Sequence, residues 1–489
     1  MNQKLRLLLA LLCALSARLE AADAKKPNIV FFLIDDLGYA DCGFNGGREI
    51  QTPNIDKLAR EGTILDSLYV QPVCSPTRAA LMTGRYATRT GVYTIVRPHA
   101  TWGLPLGERT LANALHDAGY ETAITGKWHL GEFDPRYLPT ARGFDHQYGL
   151  FFGMIDYFTH MRGQWHDWHR DDKEVQEEGY TTHLISREAC RLIAERQSRA
   201  ERDSLPREAP SAGAEAHGNS KPLFLYVPFN GVHSPLQVPD EYVKPYPSLK
   251  GGRQKLAGML SAVDEAIGQI VTAIDKAGMR DNTLIIFSTD NGGARPGDNT
   301  PLRAGKGTVY EGGVRGCAFV NWPGRVPANA HMKEMMHTVD WYPTLVKLAG
   351  GSLEQKTPLD GRDAWPMLTQ GAPSPHDAIL SVQSPERAAV RIGDWKLLMN
   401  AGEAGSEERP AAGAKPKGKR KGAVTGEHFE LYNLARDIGE RTNLADMEPE
   451  RVAQMRTKLA GMLKGAVPPG QLNHEEGAIG APASQKAQK

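Results

Sequence analysis

Four short apolar runs in this chain each break off into a polar cluster, and no other feature constrains its fold as strongly. Asn28–Ile34 stops at Asp35-Asp36-Leu37-Gly38, and Thr122–Thr125 precedes Gly126-Lys127-Trp128-His129. Leu223–Val227 precedes Asn230-Gly231-Val232-His233, and Leu284–Phe287 precedes Ser288-Thr289-Asp290-Asn291-Gly292-Gly293. Compact apolar runs without alternation are what strands buried on both faces require, as in parallel sheets. Helical patterns lie between them. Thr110–Ala118 closes at Gly119, and Leu256, Met259, Leu260, Val263, Ile267, Ile270, Val271 and Ile274 fall on one helical stripe. The alternation predicts an α/β fold, a large mostly parallel sheet sandwiched by helices. Such sheets bind ligands outside the carboxyl ends of their strands, so the four clusters are expected to converge on one crevice.

The rhythm changes after about residue 372, where short strand-like pieces (378–382, 388–392, 395–399 and 428–432) precede a helix over 450–464. This predicts a small C-terminal α+β subdomain over 373–467, an antiparallel sheet with one covering helix, beside a main α/β domain over 25–372. Segments 198–220 and 402–426 lack apolar periodicity and read as mobile surface insertions, and 468–489 as a disordered tail. Lys4, Arg6, the apolar run Leu7–Ala17 and Ala22-Asp23-Ala24 read as a secretory signal over 1–24, which implies export to the periplasm or the cell exterior. Leucines rather than a small residue precede Cys13, and no later stretch reaches spanning length, so no stable membrane anchor is expected. The remaining Cys42, Cys74, Cys190 and Cys317 are too few for a disulfide scaffold. Fifty-eight basic against 57 acidic residues leave a net charge of +1. A global field that recruits nucleic acid is excluded, and a charged substrate must be met by a local cluster.

Cys74 opens the pentapeptide Cys74-Ser75-Pro76-Thr77-Arg78, at the start of a helix where backbone N–H groups and the dipole favour an anion. Asp35, Asp36, Asp290 and Asn291 offer oxygen donors without zinc-type Cys or His spacing, so a hard cation such as Ca²⁺ or Mg²⁺ suits them. Each motif alone has a blander explanation: a turn for Asp-Asp-Leu-Gly, a packed imidazole for His129 or His233, a solvated charge for Lys127 or Lys306. Their shared placement after predicted strands raises them above that.

Together the residues amount to a resemblance. Pro27-Asn28-Ile29 leads into Asp35-Asp36-Leu37-Gly38; then come Thr52-Pro53-Asn54-Ile55-Asp56, the Cys74 pentapeptide, Gly126-Lys127-Trp128-His129-Leu130-Gly131, Ser288-Thr289-Asp290-Asn291-Gly292 and Lys306. In this order the chain resembles a type I, formylglycine-dependent sulfatase of the alkaline-phosphatase-like superfamily. The late stretches Glu430-Leu431-Tyr432-Asn433-Leu434 and Asn443-Leu444-Ala445 resemble that family's C-terminal subdomain. The resemblance implies that a dedicated maturation enzyme oxidises Cys74 to formylglycine. One hydroxyl of the aldehyde hydrate would then attack sulfur, releasing the alcohol and leaving a covalent sulfate ester, and the second hydroxyl would collapse to the aldehyde and expel sulfate. It further implies that Asp35, Asp36, Asp290, Asn291 and residue 74 hold one Ca²⁺, with Mg²⁺ less favoured. Arg78 would orient the hydrate, and Lys127 and Lys306 would bind sulfate oxygens. His129 would take the proton when the aldehyde re-forms, and His233, with Lys306, would protonate the departing sugar oxygen.

Within the family, Gln71-Pro72-Val73, Leu138–Asp145, Asp156-Tyr157 with His160, and His233–Pro239 resemble arylsulfatase B-like enzymes, which act on N-acetylgalactosamine 4-sulfate. That implies a sulfated carbohydrate substrate, with a lean towards 4-O-sulfate on galactose or N-acetylgalactosamine. Trp165, His166, Trp168 and His169 are candidates for a sugar platform or an ordinary surface cluster. Two rival functions stay open: a phosphodiesterase or phosphonate monoester hydrolase of the same superfamily, and a non-catalytic glycan-binding protein with unmodified Cys74.

Overall fold

Strand β1, Asn28–Ile34, is buried along its whole length because it faces two cores at once. Val30, Phe32 and Ile34 point into one, and Ile29, Phe31 and Leu33 into the other. The structure, a computed structural model, describes residues 25–204, 221–401 and 427–470. The expected leader over 1–24 and insertion over 402–426 lie outside the described residues, as do 205–220 and 471–489.

Nine further strands complete the sheet: β2 (Thr63–Leu65), β3 (Glu121–Thr125), β4 (His146–Gly149), β5 (His169–Arg170), β6 (Lys173–Glu174), β7 (Leu223–Phe229), β8 (Thr283–Thr289), β9 (Ala318–Asn321) and β10 (Ala330–Met332). Their spatial order is β10-β2-β9-β8-β1-β7-β3-β4-β5-β6. The central strands β8, β1, β7, β3 and β4 are mutually parallel, while β9 and β5 join antiparallel on either side. The sheet is thus mixed at its edges and parallel where the apolar runs predicted it.

Helices cover both faces. They include α1 (Cys74–Thr83), α2 (Leu111–Asp117), α3 (Thr181–Ser204), α4 (Gly251–Lys276) and α5 (Trp341–Leu348). Apolar side chains of α3 and α4 pack on the face of Phe32, and those of α1, α2 and α5 on the face of Phe31. Thr110 caps α2 through a reciprocal capping box with Asn113, and Gly119 follows at φ 87°. By length and composition α4 would suit a membrane, but it is a core helix whose predicted stripe is buried except at half-buried Val271. One expectation is corrected here: residues 198–204 are not part of a surface insertion but the end of α3. Arg196 and Arg199 on that helix pair with Glu121, and such pairs support a helix that carries little apolar surface.

The C-terminal unit is an antiparallel meander of β11 (Ile379–Ser384), β12 (Arg387–Ile392), β13 (Trp395–Met399) and β14 (Phe429–Asn433), covered by α6 (Pro449–Leu463). Its core takes in Tyr86, Ala87 and Tyr93 from the chain following α1. A buried ion cluster ties it down as well. Lys396 Nζ lies 2.8 Å from Glu311 and 3.0 Å from Glu440, and Arg315 lies 3.0 Å from Glu311.

Candidate active site

Register brings the polar clusters together. Ile34 pairs with both Phe229 and Thr289, so Asp35, Asn230 and Asp290 leave the sheet at one level. Backbone bonds lock this edge: Asp35 N–H donates to Gly231 O at 3.0 Å, Val232 N–H to Asp35 O at 2.7 Å, and Asp290 N–H to Ile34 O at 3.2 Å. Asp36 then turns sharply at φ 60° and donates its N–H to Asp290 Oδ1 at 3.3 Å. After β3, Gly126 takes φ 137°, and a Cβ there would sit 2.0 Å from Pro228 O. Only glycine lets Lys127 follow so closely.

Cys74 is the first residue of α1, and its Sγ lies 3.3 Å from Asp35 Oδ1. One turn on, Arg78 reaches Asp290 Oδ2 at 2.9 Å, Asp35 Oδ2 at 3.6 Å and the Lys127 carbonyl at 2.8 Å. The Lys127 ammonium rests on Asp35, and Lys306 Nζ lies 2.9 Å from both Asp36 oxygens. Asn291 Nδ2 donates to Asp36 Oδ1 at 2.8 Å. His233 presents Nε2 3.6 Å from Asp36 Oδ2, while its Nδ1–H donates to Ser234 O at 2.6 Å. His129 donates Nε2–H to Val96 O at 3.0 Å, which leaves its buried Nδ1 without a partner. The ligand atoms of Asp35, Asp36, Cys74 and His233 lie within 4.8 Å of one another. The residues expected to act on sulfate or to hold the metal therefore meet in one place, with His233 beside the Asp36 carboxylate.

Residues 27–352 match the Sulfatase family model. The chain belongs to the sulfatase family. It is 35% identical over 486 residues to arylsulfatase J of Mus musculus, covering 91% of this chain and 77% of that protein. It is 31% identical over 473 residues to N-acetylgalactosamine-6-sulfatase of Mus musculus, covering 90% and 85%. The solved structure of Ps i-CgsB in complex with k-i-k-neocarrahexaose shares 32% identity and a TM-score of 0.78, over 91% of this chain and 94% of that one. This sulfatase is a sulfuric ester hydrolase with the alkaline-phosphatase-like fold.

The electrostatics of the sulfatase site are set by burial. Burial works to raise the Asp36 carboxyl, but the charges of Lys306 and His233 win and hold it well below the usual range. Asp290 goes the other way: burial and the neighbouring Asp35 push it up to about 6, against the pull of Arg78. The same burial, with Asp290 and Asp35, drives the Cys74 thiol well above its ordinary value. The helix N-terminus is outweighed, and an unmodified Cys74 is a protonated, unreactive thiol. His129 is pushed well below the normal imidazole value by burial and by Lys127 and Arg78. His233 falls to about 4, by burial and Lys306, despite the opposing pull of Asp36.

A divalent cation fits the donor set. Three carboxylates face the three cations Arg78, Lys127 and Lys306, so the protein's own charge here sums to zero. A bound Ca²⁺ would leave +2 to meet a sulfate, and would draw Asp290 back down. Asn291 Oδ1 is a buried acceptor without a hydrogen-bond partner, as a waiting metal ligand would be.

Some contributors escaped the sequence. Ser75 Oγ donates to the His129 carbonyl at 2.8 Å and accepts the Val96 N–H at 3.1 Å, fixing the strap that holds His129. The Tyr157 hydroxyl bridges to the Asn230 and His233 carbonyls at 2.6 and 2.7 Å. Neither had a signal beyond membership of a quoted motif. The four-residue sugar platform is also revised: Trp168 is fully buried, stacked on His160 and edge-on to Tyr148, so it offers no face to a ligand.

Proposed function

We propose that this sulfatase removes sulfate from a sulfated glycan, with the ester at O4 of galactose or N-acetylgalactosamine, and that formylglycine at position 74 is the nucleophile. The observation that carries it is the meeting of Cys74 with Asp35, Asp36, Arg78, Lys127 and Lys306 in one buried cluster. The inert character of the thiol supports conversion, because a buried cysteine between carboxylates cannot itself attack an anion. Support for a glycan comes from the N-acetylgalactosamine and neocarrahexaose in the names of similar proteins. The O4 choice rests on the arylsulfatase B-like stretches Leu138–Asp145 and His233–Pro239. The basic, apolar N-terminal segment supports export.

Formylglycine at position 74, once hydrated, would supply the hydroxyl for attack on sulfur, and Asp35, Asp36, Asp290 and Asn291 would hold a Ca²⁺ that supplies Lewis-acid polarisation. The chain's own residues do the rest. Lys127 and Lys306 bind sulfate oxygens by charge-assisted hydrogen bonds, and Arg78 holds the residue 74 side by fixing Asp290 and the Lys127 backbone. His129 stays neutral with Nδ1 bare, so it can take a proton from residue 74. On the leaving side, His233 offers only Nε2, since Nδ1–H is committed to Ser234 O. Its depressed pKa makes Lys306, which Asp36 holds charged against its burial, the proton donor at hand, with His233 sharing the role.

Sulfate release from defined disaccharides sulfated at O4 or O6, beside a bis-aryl phosphodiester, tests this. Release from the O4 ester is expected. Preference for the O6 ester would overturn the position, and hydrolysis of the phosphodiester alone would overturn the function.

A further inference from the structure

Between the loops that carry His129 and His233 stands a hairpin, Met161–Arg162 paired antiparallel with Trp165–His166. Both of its flanks are fastened to the site. On one, Tyr157 bridges to the Asn230 and His233 carbonyls, and Gln237 accepts the Tyr157 N–H at 3.0 Å and donates to Asp156 at 2.6 Å. On the other, Asp167 accepts the Phe151 and Phe152 amides at 3.0 and 2.7 Å. Gly153 then lies flat on the His129 ring, where a Cβ would come within 2.5 Å of Cε1 and Nε2.

Beside this hairpin opens a cavity of about 670 Å³. That volume is in the range of small-molecule sites. Its aromatic wall is built from Phe152, His99 and Trp165: His99 stands edge-on to Phe152 at 5.5 Å and to Trp165 at 4.6 Å. Trp165 lines the cavity and is 45% exposed, so part of its indole is open to a ligand there. The polar lining is acidic. Asp172 and Glu174 line the cavity, the latter 3.1 Å from His166 Nδ1, while Asp167 is buried behind it against His169; among its described lining residues there is no lysine or arginine. Glu132, which accepts the His99 N–H, is held up to about 7 by burial and can both accept from and donate to a hydroxyl.

An exposed indole beside clustered carboxyl groups suits the apolar face and hydroxyl rim of a sugar. Asp172 and Glu174, with no lysine or arginine in the described lining to offset them, disfavour sulfate and uronate there. We infer that this cavity is a second subsite holding an uncharged sugar residue next to the sulfated one, with Trp165 as its stacking platform and Glu132 and His99 on its rim. The inference rests on the sulfated-glycan function proposed above and adds that the enzyme reads a neighbour, preferring an oligosaccharide whose adjacent residue is unsulfated.

Three probes test it: 4-nitrophenyl sulfate, a trisaccharide sulfated on one residue with neutral neighbours, and the same trisaccharide sulfated on the neighbour too. Trp165→Ala should lower kcat/KM on the singly sulfated trisaccharide, relative to the aryl sulfate, by about tenfold, mainly through KM, the equivalent of one stacking contact. Trp165→Phe should recover most of that ratio. The doubly sulfated trisaccharide should be the poorer substrate of the wild type. An unchanged ratio, or a wild type that prefers the doubly sulfated probe, would overturn the subsite. If no probe is desulfated, the sulfated-glycan proposal fails on its own terms. The cavity is then judged by whether a neutral galactotriose changes tryptophan fluorescence in the wild type but not in Trp165→Phe, and no change in either would overturn it.

Discussion

Replacing Asp290 by Asn should make the metal-free protein more stable while weakening its hold on metal. Asp290 is fully buried, and burial with the charge of Asp35 moves its carboxyl from 3.8 to about 6 even though Arg78 lies 2.9 Å away. A carboxyl whose folded pKa exceeds its unfolded value binds more protons when folded, so stability falls as pH rises from about 4 to about 6. The shift corresponds to ~3 kcal/mol carried against folding at pH 7. Asn keeps the shape and the acceptor for the Asp36 N–H without the charge, at the expense of the Arg78 pair. With about 2.1 cal/mol/K of unfolding entropy per residue over 489 residues, each kcal/mol moves the melting temperature by ~1 °C. In chelator at pH 7, Asp290→Asn should therefore melt up to ~3 °C above wild type, and the difference should shrink through pH 5 and vanish below about pH 4. In Ca²⁺ the gap should close, since saturation to a hundred times Kd adds ~2.7 kcal/mol to the protein that binds. Differential scanning calorimetry with and without chelator reads all of this. A variant that melts below wild type in chelator, with an undiminished response to Ca²⁺, would refute the reasoning.

Cys74→Ala should abolish turnover with little change in melting temperature, and near wild-type activity would rule out the covalent route. Chelation should remove activity reversibly, with Ca²⁺ restoring it better than Mg²⁺ in a sulfate-release assay. His233→Ala should slow sugar sulfates more than an activated aryl sulfate, with the difference read from kcat/KM on each; equal losses would remove its share in protonating the leaving oxygen. Lys396→Met strips the cation from two buried carboxylates and should cost ~3–5 kcal/mol, seen in thermal melts. Burial and Glu311 raise Glu440 to about 7 even with Lys396 in place, so that loss should be smaller at pH 6, where Glu440 is protonated, than at pH 8.

The central sheet was legible because strands buried on both faces leave uninterrupted apolar runs, and the polar residue after each run falls at the strand's carboxyl end. Common register then does the assembly: Asp35, Asn230 and Asp290 meet because Ile34, Phe229 and Thr289 are level. The edge strands His169–Arg170 and Lys173–Glu174 carry no apolar run, since two-residue strands half-buried or exposed to solvent need none. Helix α3 outran its apolar stripe on ion pairs to Glu121, a partner far away in sequence. Trp168 was misplaced for a similar reason: a hairpin's alternation sends Trp165 outward, but the buried neighbours His160 and Tyr148 come from other segments. At the site the sequence named the groups but not their balance. Whether the helix dipole or the carboxylates govern Cys74 depends on burial, and burial depends on the whole fold.

The mass of the tryptic peptide spanning residue 74, from protein expressed in its native host, is the most direct measurement. An aldehyde or its hydrate at that position is the expected result. An intact thiol in protein that still releases sulfate would contradict the nucleophile assigned here.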